Sequence, residues 1–232
     1  MTRRRLAACG AVVAVAASVT PFTGAAPAAR ARFVPRIDNA WLPFVPGSTY
    51  VYRGFEDGRP SKDVVHVTRA RKIVDGVRCT VVSDRLFLAA RLAERTSDWY
   101  AQDARGNVWY FGEATAELDA NGKVTSREGS WQAGVRGARA GIVMPAHPRV
   151  GQQFRQEYLK GQAEDQFSVL SVAVSVRTPA ARSRHALLTR EWTPLEPGIV
   201  DHKLYVRGIG NVAERTVKGP KERAVLVSFR RG

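Results

Sequence analysis

The sequence predicts an all-β protein, an antiparallel meander rolled into a barrel or half-barrel, with few or no helices after the export signal. Three observations carry this. Short runs of β-branched and aromatic residues recur along the chain, glycine turns separate them at hairpin spacing, and long amphipathic helical patterns are absent. Many strands in simple meander order favour a closed or half-closed sheet, because closure removes exposed edges.

The chain opens with an export signal over residues 1–31. Arg3, Arg4 and Arg5 form a positive start, Leu6 to Val19 carry no charge, and Ala29-Arg30-Ala31 offers a small-residue cleavage site. "TRRRLA" fits a twin-arginine signal as well as an ordinary Sec signal. The apolar stretch is shorter than the roughly 20 residues that span a bilayer, and no later segment comes close. The expected location is secreted or periplasmic, with residues 32–232 as one β domain. Removing the signal takes Cys9 with it and leaves Cys79 as the only cysteine, so no intrachain disulfide is expected.

"KIVDGVRC" (72–79) sets Asp75-Gly76 between β-branched runs, a two-residue hairpin signal that pairs Val74 with Val77 and Lys72 with Cys79. Val74, Val77, Cys79 and Val81 then share a buried face, while Arg69, Arg71, Arg78 and Thr80 share a wet one. Cys79 reads as a small core residue.

"DWYAQDARGNVWYFGE" (98–113) folds about Asp103-Ala104-Arg105-Gly106, with Gly106 in a left-handed bulge position. That register pairs Ala101 with Trp109, Tyr100 with Tyr110 and Trp99 with Phe111. Rings therefore occupy both faces, and the tyrosine face is the one able to meet a second layer or a ligand.

Residues 129–151, "GSWQAGVRGARAGIVMPAHPRVG", are broken by five glycines and two prolines. Their apolar residues argue for an ordered flap over one barrel end. Further on, "RQEYLKGQAEDQF" (155–167) turns at Lys160-Gly161 and sets Glu157 opposite Glu164. Such a pair needs Arg155, a cation or a shared proton to neutralise it, or else open solvent. In "TREWTPLEPGIVDHKLYV" (189–206), Pro197-Gly198 leaves the register open, and His202 near Glu191 could serve as a base with its orienting carboxylate.

The full chain carries a net charge of +15. Residues 1–31 hold four arginines and no acid, so without them the balance is +11. That surplus suits anionic envelope polymers or lipid headgroups, or else arginines that only solvate the surface. Nucleic acid is not expected, because the hairpin at 98–113 has the rings but only Arg105 among them. No cofactor is expected either. The four histidines lack metal-ligand spacing, and no nucleophile elbow, phosphate loop or dinucleotide fingerprint occurs.

These readings give three functions. The first is a non-enzymatic binding protein whose concave, aromatic-lined site takes a small apolar or amphiphilic, lipid-like ligand. Trp99, Trp109, Tyr110, Trp131 and Trp192 form its walls, with Arg155 and the two glutamates as polar groups. The second is a secreted hydrolase using Glu157, Glu164 and His202 as acid and base. The third is a basic module held on anionic polymers through Arg69, Arg71 and Arg78.

The blocks "WLPFVPGSTYVYRG", "DWYAQDARGNVWYFGE", "GSWQAGVRGARAGIVMP", "RQEYLKGQAED" and "EWTPLEPG" together resemble an uncharacterised family of secreted bacterial β-rich proteins. That resemblance implies export and a β-rich fold, and brings no catalytic residues with it. His147 in "MPAHP" stands where the family more usually has a small or acidic residue, which speaks against a metal role there. "YVRGIGNVAERT" (205–216) is similar to the last strands of half-barrel lipoprotein carriers. Those proteins hold acyl chains in the concave face of a curved sheet.

Overall fold

The computed structural model describes residues 31–232, so the export-signal reading lies almost wholly outside the described residues. Sixteen strands follow one another, and no helix occurs among the described residues. In chain order they are β1 Phe33–Val34, β2 Thr49–Glu56, β3 Arg59–Val74, β4 Val77–Leu88, β5 Arg91–Asp103 and β6 Val108–Leu118. Next come β7 Val124–Ser126, β8 Trp131–Gln132, β9 Arg139–Met144, β10 Gln153–Arg155 and β11 Glu157–Tyr158. The last five are β12 Gln166–Arg177, β13 Arg182–Trp192, β14 Val200–Val206, β15 Gly210–Lys218 and β16 Arg223–Arg230.

Every pairing is antiparallel, in the order β10-β12-β13-β14-β15-β16-β2-β3-β4-β5-β6-β9-β11. Two meanders, β2 to β6 and β12 to β16, are joined where the last strand pairs with β2. The result is a barrel closed except at one seam, between β10 and the β9–β11 edge. At the seam Gly141 lies directly against the backbone of Arg155 and Gln156, where a Cβ would collide with the Arg155 carbonyl oxygen. No ladder seals this line. The barrel is held there by a backbone approach that only glycine permits.

Register sorts each strand into an inner and an outer face. Tyr52, Asp63 and Leu86 stand opposite one another across β2, β3 and β4 on the inner side, and Arg53, Lys62 and Phe87 do so on the outer side. The Asp75-Gly76 hairpin pairs Val74 with Val77 and Lys72 with Cys79, as its sequence predicts. Cys79 is buried, and that burial pushes its thiol up to about 12. The predicted wet face needs a correction at Thr80. Alternation along β4 places Thr80 on the inner face with Val82, and it is buried there opposite Tyr100.

The 98–113 hairpin keeps the predicted pairs Tyr100 with Tyr110 and Ala101 with Trp109. It then shifts by one residue at Gly112, whose φ is +129°, so that Asp98 faces Glu113. A Cβ at Gly112 would collide with the Trp131 carbonyl, which is why the bulge takes glycine. Asp103 organises the turn. Its carboxylate accepts from Arg105 N, Asn107 N, Asn107 Nδ2 and Trp109 Nε1, each at 2.9 Å.

Within 129–151, β8 and β9 both pair with β6, and Ile142, Val143 and Met144 are buried. The N-terminal segment covers the outer rings. Phe33 lies edge-on to Trp109 and Phe111, with ring centroids 6.2 and 5.3 Å apart.

Candidate functional site

The inner face is acidic and aromatic. Seven Asp and Glu side chains are buried, but Lys203 is the only buried Lys or Arg among the described residues. Such an interior demands specific partners, since an isolated buried charge is strongly disfavoured.

Lys203 meets that demand on one wall. It reaches inward from β14, and its Nζ stands 2.7 Å from Glu191 Oε2 and 3.9 Å from Glu214 Oε2. Burial alone would lower the ammonium pKa, but Glu191 and Glu214 outweigh it and hold Lys203 well above its usual value. Burial likewise acts to raise Glu191, and Lys203 reverses that, so its carboxyl lies below the usual range. The Thr189 hydroxyl, the Tyr205 hydroxyl and the Gln156 amide also donate to Glu191, at 3.1, 3.3 and 3.4 Å. Glu191 and Lys203 are thus a fixed ion pair.

Beside this pair lies a cavity of about 40 Å³. Leu42, Phe44, Tyr50, Val65 and Ile209 give it an apolar side, while Asp63, Gln156, Lys203 and Glu214 give it a charged one. Gln156 is only 5% exposed, and its Oε1 has no hydrogen-bond partner. The orientation of this amide is set by its neighbour, because Nε2 must face the Glu191 carboxylate and the carbonyl must then point away.

The opposite wall holds a second cluster. Tyr100 and Tyr110 stack with centroids 4.8 Å apart, Trp131 meets Tyr110 edge-on at 5.4 Å, and Phe44 leans on Tyr100 at 4.9 Å. Tyr110 donates to Asp98 Oδ1 at 2.8 Å. Asp98 Oδ2, the Tyr100 hydroxyl and Trp131 Nε1 are buried without a hydrogen-bond partner. Burial pushes Asp98 up to about 6, and it raises Glu113 well above the carboxylate range, helped by Asp98 and Glu157. Because Phe44 touches Tyr100 and also lines the cavity, the two walls are continuous.

The residues singled out from sequence are spread among these regions. Tyr110 and Trp131 belong to the inner cluster. Trp99 and Trp109 are buried on the other face of the hairpin, Trp99 beneath the Lys72 ammonium at 3.3 Å. Trp192 is half-buried with Arg190 over its ring at 5.0 Å, and Arg155 stacks on Tyr158 at 4.6 Å. None of these six lines the cavity.

Glu157, Glu164 and His202 lie on three separate elements, and none lines the cavity either. Glu157 does not face Glu164. It pairs in β11 with Ala140 of β9 and is buried, whereas Glu164 accepts from Gly161 N at 2.7 Å in the turn. Solvent reaches only part of this face, since Gln166 and Ser168 are buried with Glu157 while Gln153 is exposed and Glu164 half-buried. His202 stands outward opposite Arg190, one position away from the inward pair of Glu191 and Asp201. Burial, then Arg215 and Arg190, lower its pKa. No group of three or more metal-ligating side chains occurs among the described residues.

Sequence reasoning missed Gln156, Lys203, Asp63 and Glu214. A signal for Lys203 exists in "HKLYV", where alternation places Lys203 and Tyr205 on one face and His202 and Leu204 on the other. It becomes usable only once the register across the Pro197-Gly198 turn is known.

No protein-family model and no curated protein matches this chain. Two solved structures are similar in outline. One is an inferred exported protein with a YmcC-like fold from Bacteroides fragilis, with a TM-score of 0.47 and 15% identity, covering 83% of this chain and 100% of that one. The other is an inferred lipoprotein from Parabacteroides distasonis, with a TM-score of 0.44 and 9% identity over the same shares.

Proposed function

We propose that the protein is an extracytoplasmic binding protein that holds a small amphiphile inside the barrel. The apolar part of the ligand rests on Leu42, Phe44, Tyr50 and Ile209. Its polar end carries hydrogen-bond donors, an amine or a hydroxyl, directed at Gln156 and the carboxylates beside it. The observation that carries this reading is the Gln156 carbonyl, buried at the cavity wall with no partner. A buried acceptor left unmade costs about 1–3 kcal/mol, and a ligand donor recovers it.

Charge supports the same choice. Lys203 is already committed to Glu191 and Glu214, and Asp63 adds a further carboxylate to the lining. A ligand bearing its own carboxylate would meet like charge. The cavity of about 40 Å³ has room for a few waters, so a longer chain enters by displacing Leu42 and Phe44.

The test is calorimetric titration with short alkylamines, alkanols and fatty acids of matched chain length. Amines or alcohols should saturate at one site while fatty acids do not. Gln156→Leu should weaken that binding about tenfold, the worth of one hydrogen bond, and leave the melting temperature within a few degrees. Saturation by no member of the series, or equal affinity in the variant, contradicts the reading.

A further inference from the structure

The outer face carries a row of basic side chains turned away from the cavity lining. Arg190 on β13 stands opposite His202 on β14, His202 opposite Arg215 on β15, and Arg215 opposite Arg223 on β16. Four adjacent strands thus present basic side chains in one row. The track continues diagonally to Arg53 on β2 and directly across to Lys62 on β3. Arg215 and Arg223, and again Arg53 and Lys62, are like charges placed directly opposite one another; such pairs destabilise a sheet, and a structural role alone gives no reason to align them.

Acids relieve the row only at Arg223, which lines a small hollow with Asp201, Glu214 and Glu222. Arg190, Arg215, Arg223, Arg53 and Lys62 are exposed, and none of them forms an ion pair with another described residue. Asp201 and Glu214, the acids of the same strands, point inward by alternation, where Asp201 accepts from the Thr216 hydroxyl and Glu214 faces Lys203. Glu222, next to Arg223, accepts from the Asp57 amide. Rings hold the ends of the row, with Trp192 under Arg190 and Phe55 under Arg223 at 5.4 Å.

We infer that this row is a docking track for a linear polyanion of the cell envelope, a chain of repeated phosphates or carboxylates. Strands lie about 4.8 Å apart, so the first four side chains span roughly 14 Å. The outside of a barrel is convex. A flexible chain can follow the row around the curve, whereas a flat bilayer surface touches only part of it. The partner is therefore a polymer, held by charge and released by salt.

Fluorescence anisotropy with labelled long-chain inorganic polyphosphate tests this, with the full barrel and its interior left intact. The triple variant Arg190→Gln, Arg215→Gln, Arg223→Gln should bind at least tenfold more weakly. Its salt dependence should flatten by about two, at about 0.7 per lost phosphate contact. A second triple variant, Arg69→Gln, Arg78→Gln, Arg105→Gln, has the same net charge and should stay within about threefold of the wild-type affinity. Equal loss in both variants would show that only total charge matters and would overturn the track. So would phosphatidylglycerol vesicles binding as tightly as polyphosphate with the same dependence on the row, which would assign the surface to membranes.

Discussion

Asp98 shows how one side chain can tie stability to pH. Its carboxyl is buried, one oxygen accepts from Tyr110, and burial lifts its pKa to about 6. Between its unfolded value near 4 and about 6, the native state binds more protons than the unfolded chain, so stability falls as pH rises through that window. Asp98→Asn removes the charge and keeps the acceptor for Tyr110. It should raise stability at pH 7 by on the order of 2 kcal/mol and flatten the pH profile between 4 and 6, as read by urea unfolding. A variant less stable at every pH would mean that the Asp98 charge is itself a needed partner of the inner cluster. Asp98 and Glu113 flank the aromatic stretch in the sequence, yet their meeting was not legible there. The residue inserted at Gly112 moves Glu113 opposite Asp98; a lone glycine inside a strand run is a signal for such a bulge, but it does not say which pair the bulge will bring together.

At the scale of elements, turn chemistry made much of the fold legible. Asp75-Gly76 and Asp103-Gly106 fix their hairpins because only certain residues fit those backbones, and both pairings follow from the sequence alone. What stayed hidden depends on contacts between distant strands. Glu157 pairs with β9 instead of its own hairpin partner, because its strand peels away to meet Ala140. The seam beside it rests on Gly141, packed against the Arg155–Gln156 backbone. Gly141→Ala should push that backbone aside, costing about 1–3 kcal/mol, with faster amide exchange confined to residues 139–144 and 153–158. Uniform exchange across the barrel, or an unchanged melting point, would show that the seam tolerates a methyl group. Because Gln156 is the cavity residue at this seam, opening it should also weaken ligand binding.

Across the whole molecule, charge is segregated by face. Among the described residues the buried charges are seven acids and Lys203, and every other arginine and lysine is exposed or half-exposed. Composition gave the basic surplus but not its arrangement, which needs the register of every strand. The inner acids line a small cavity and the basic row lies on the opposite face of the sheet, so a ligand inside and a polymer outside would not compete. The proposed role of the barrel is to carry a small ligand. Native mass spectrometry of the protein exported and purified without detergent, set against its denatured mass, tests this most directly. A small mass lost on denaturation, and absent in Gln156→Leu, is the predicted result. Identical native and denatured masses would contradict it and return the inner rings to plain packing.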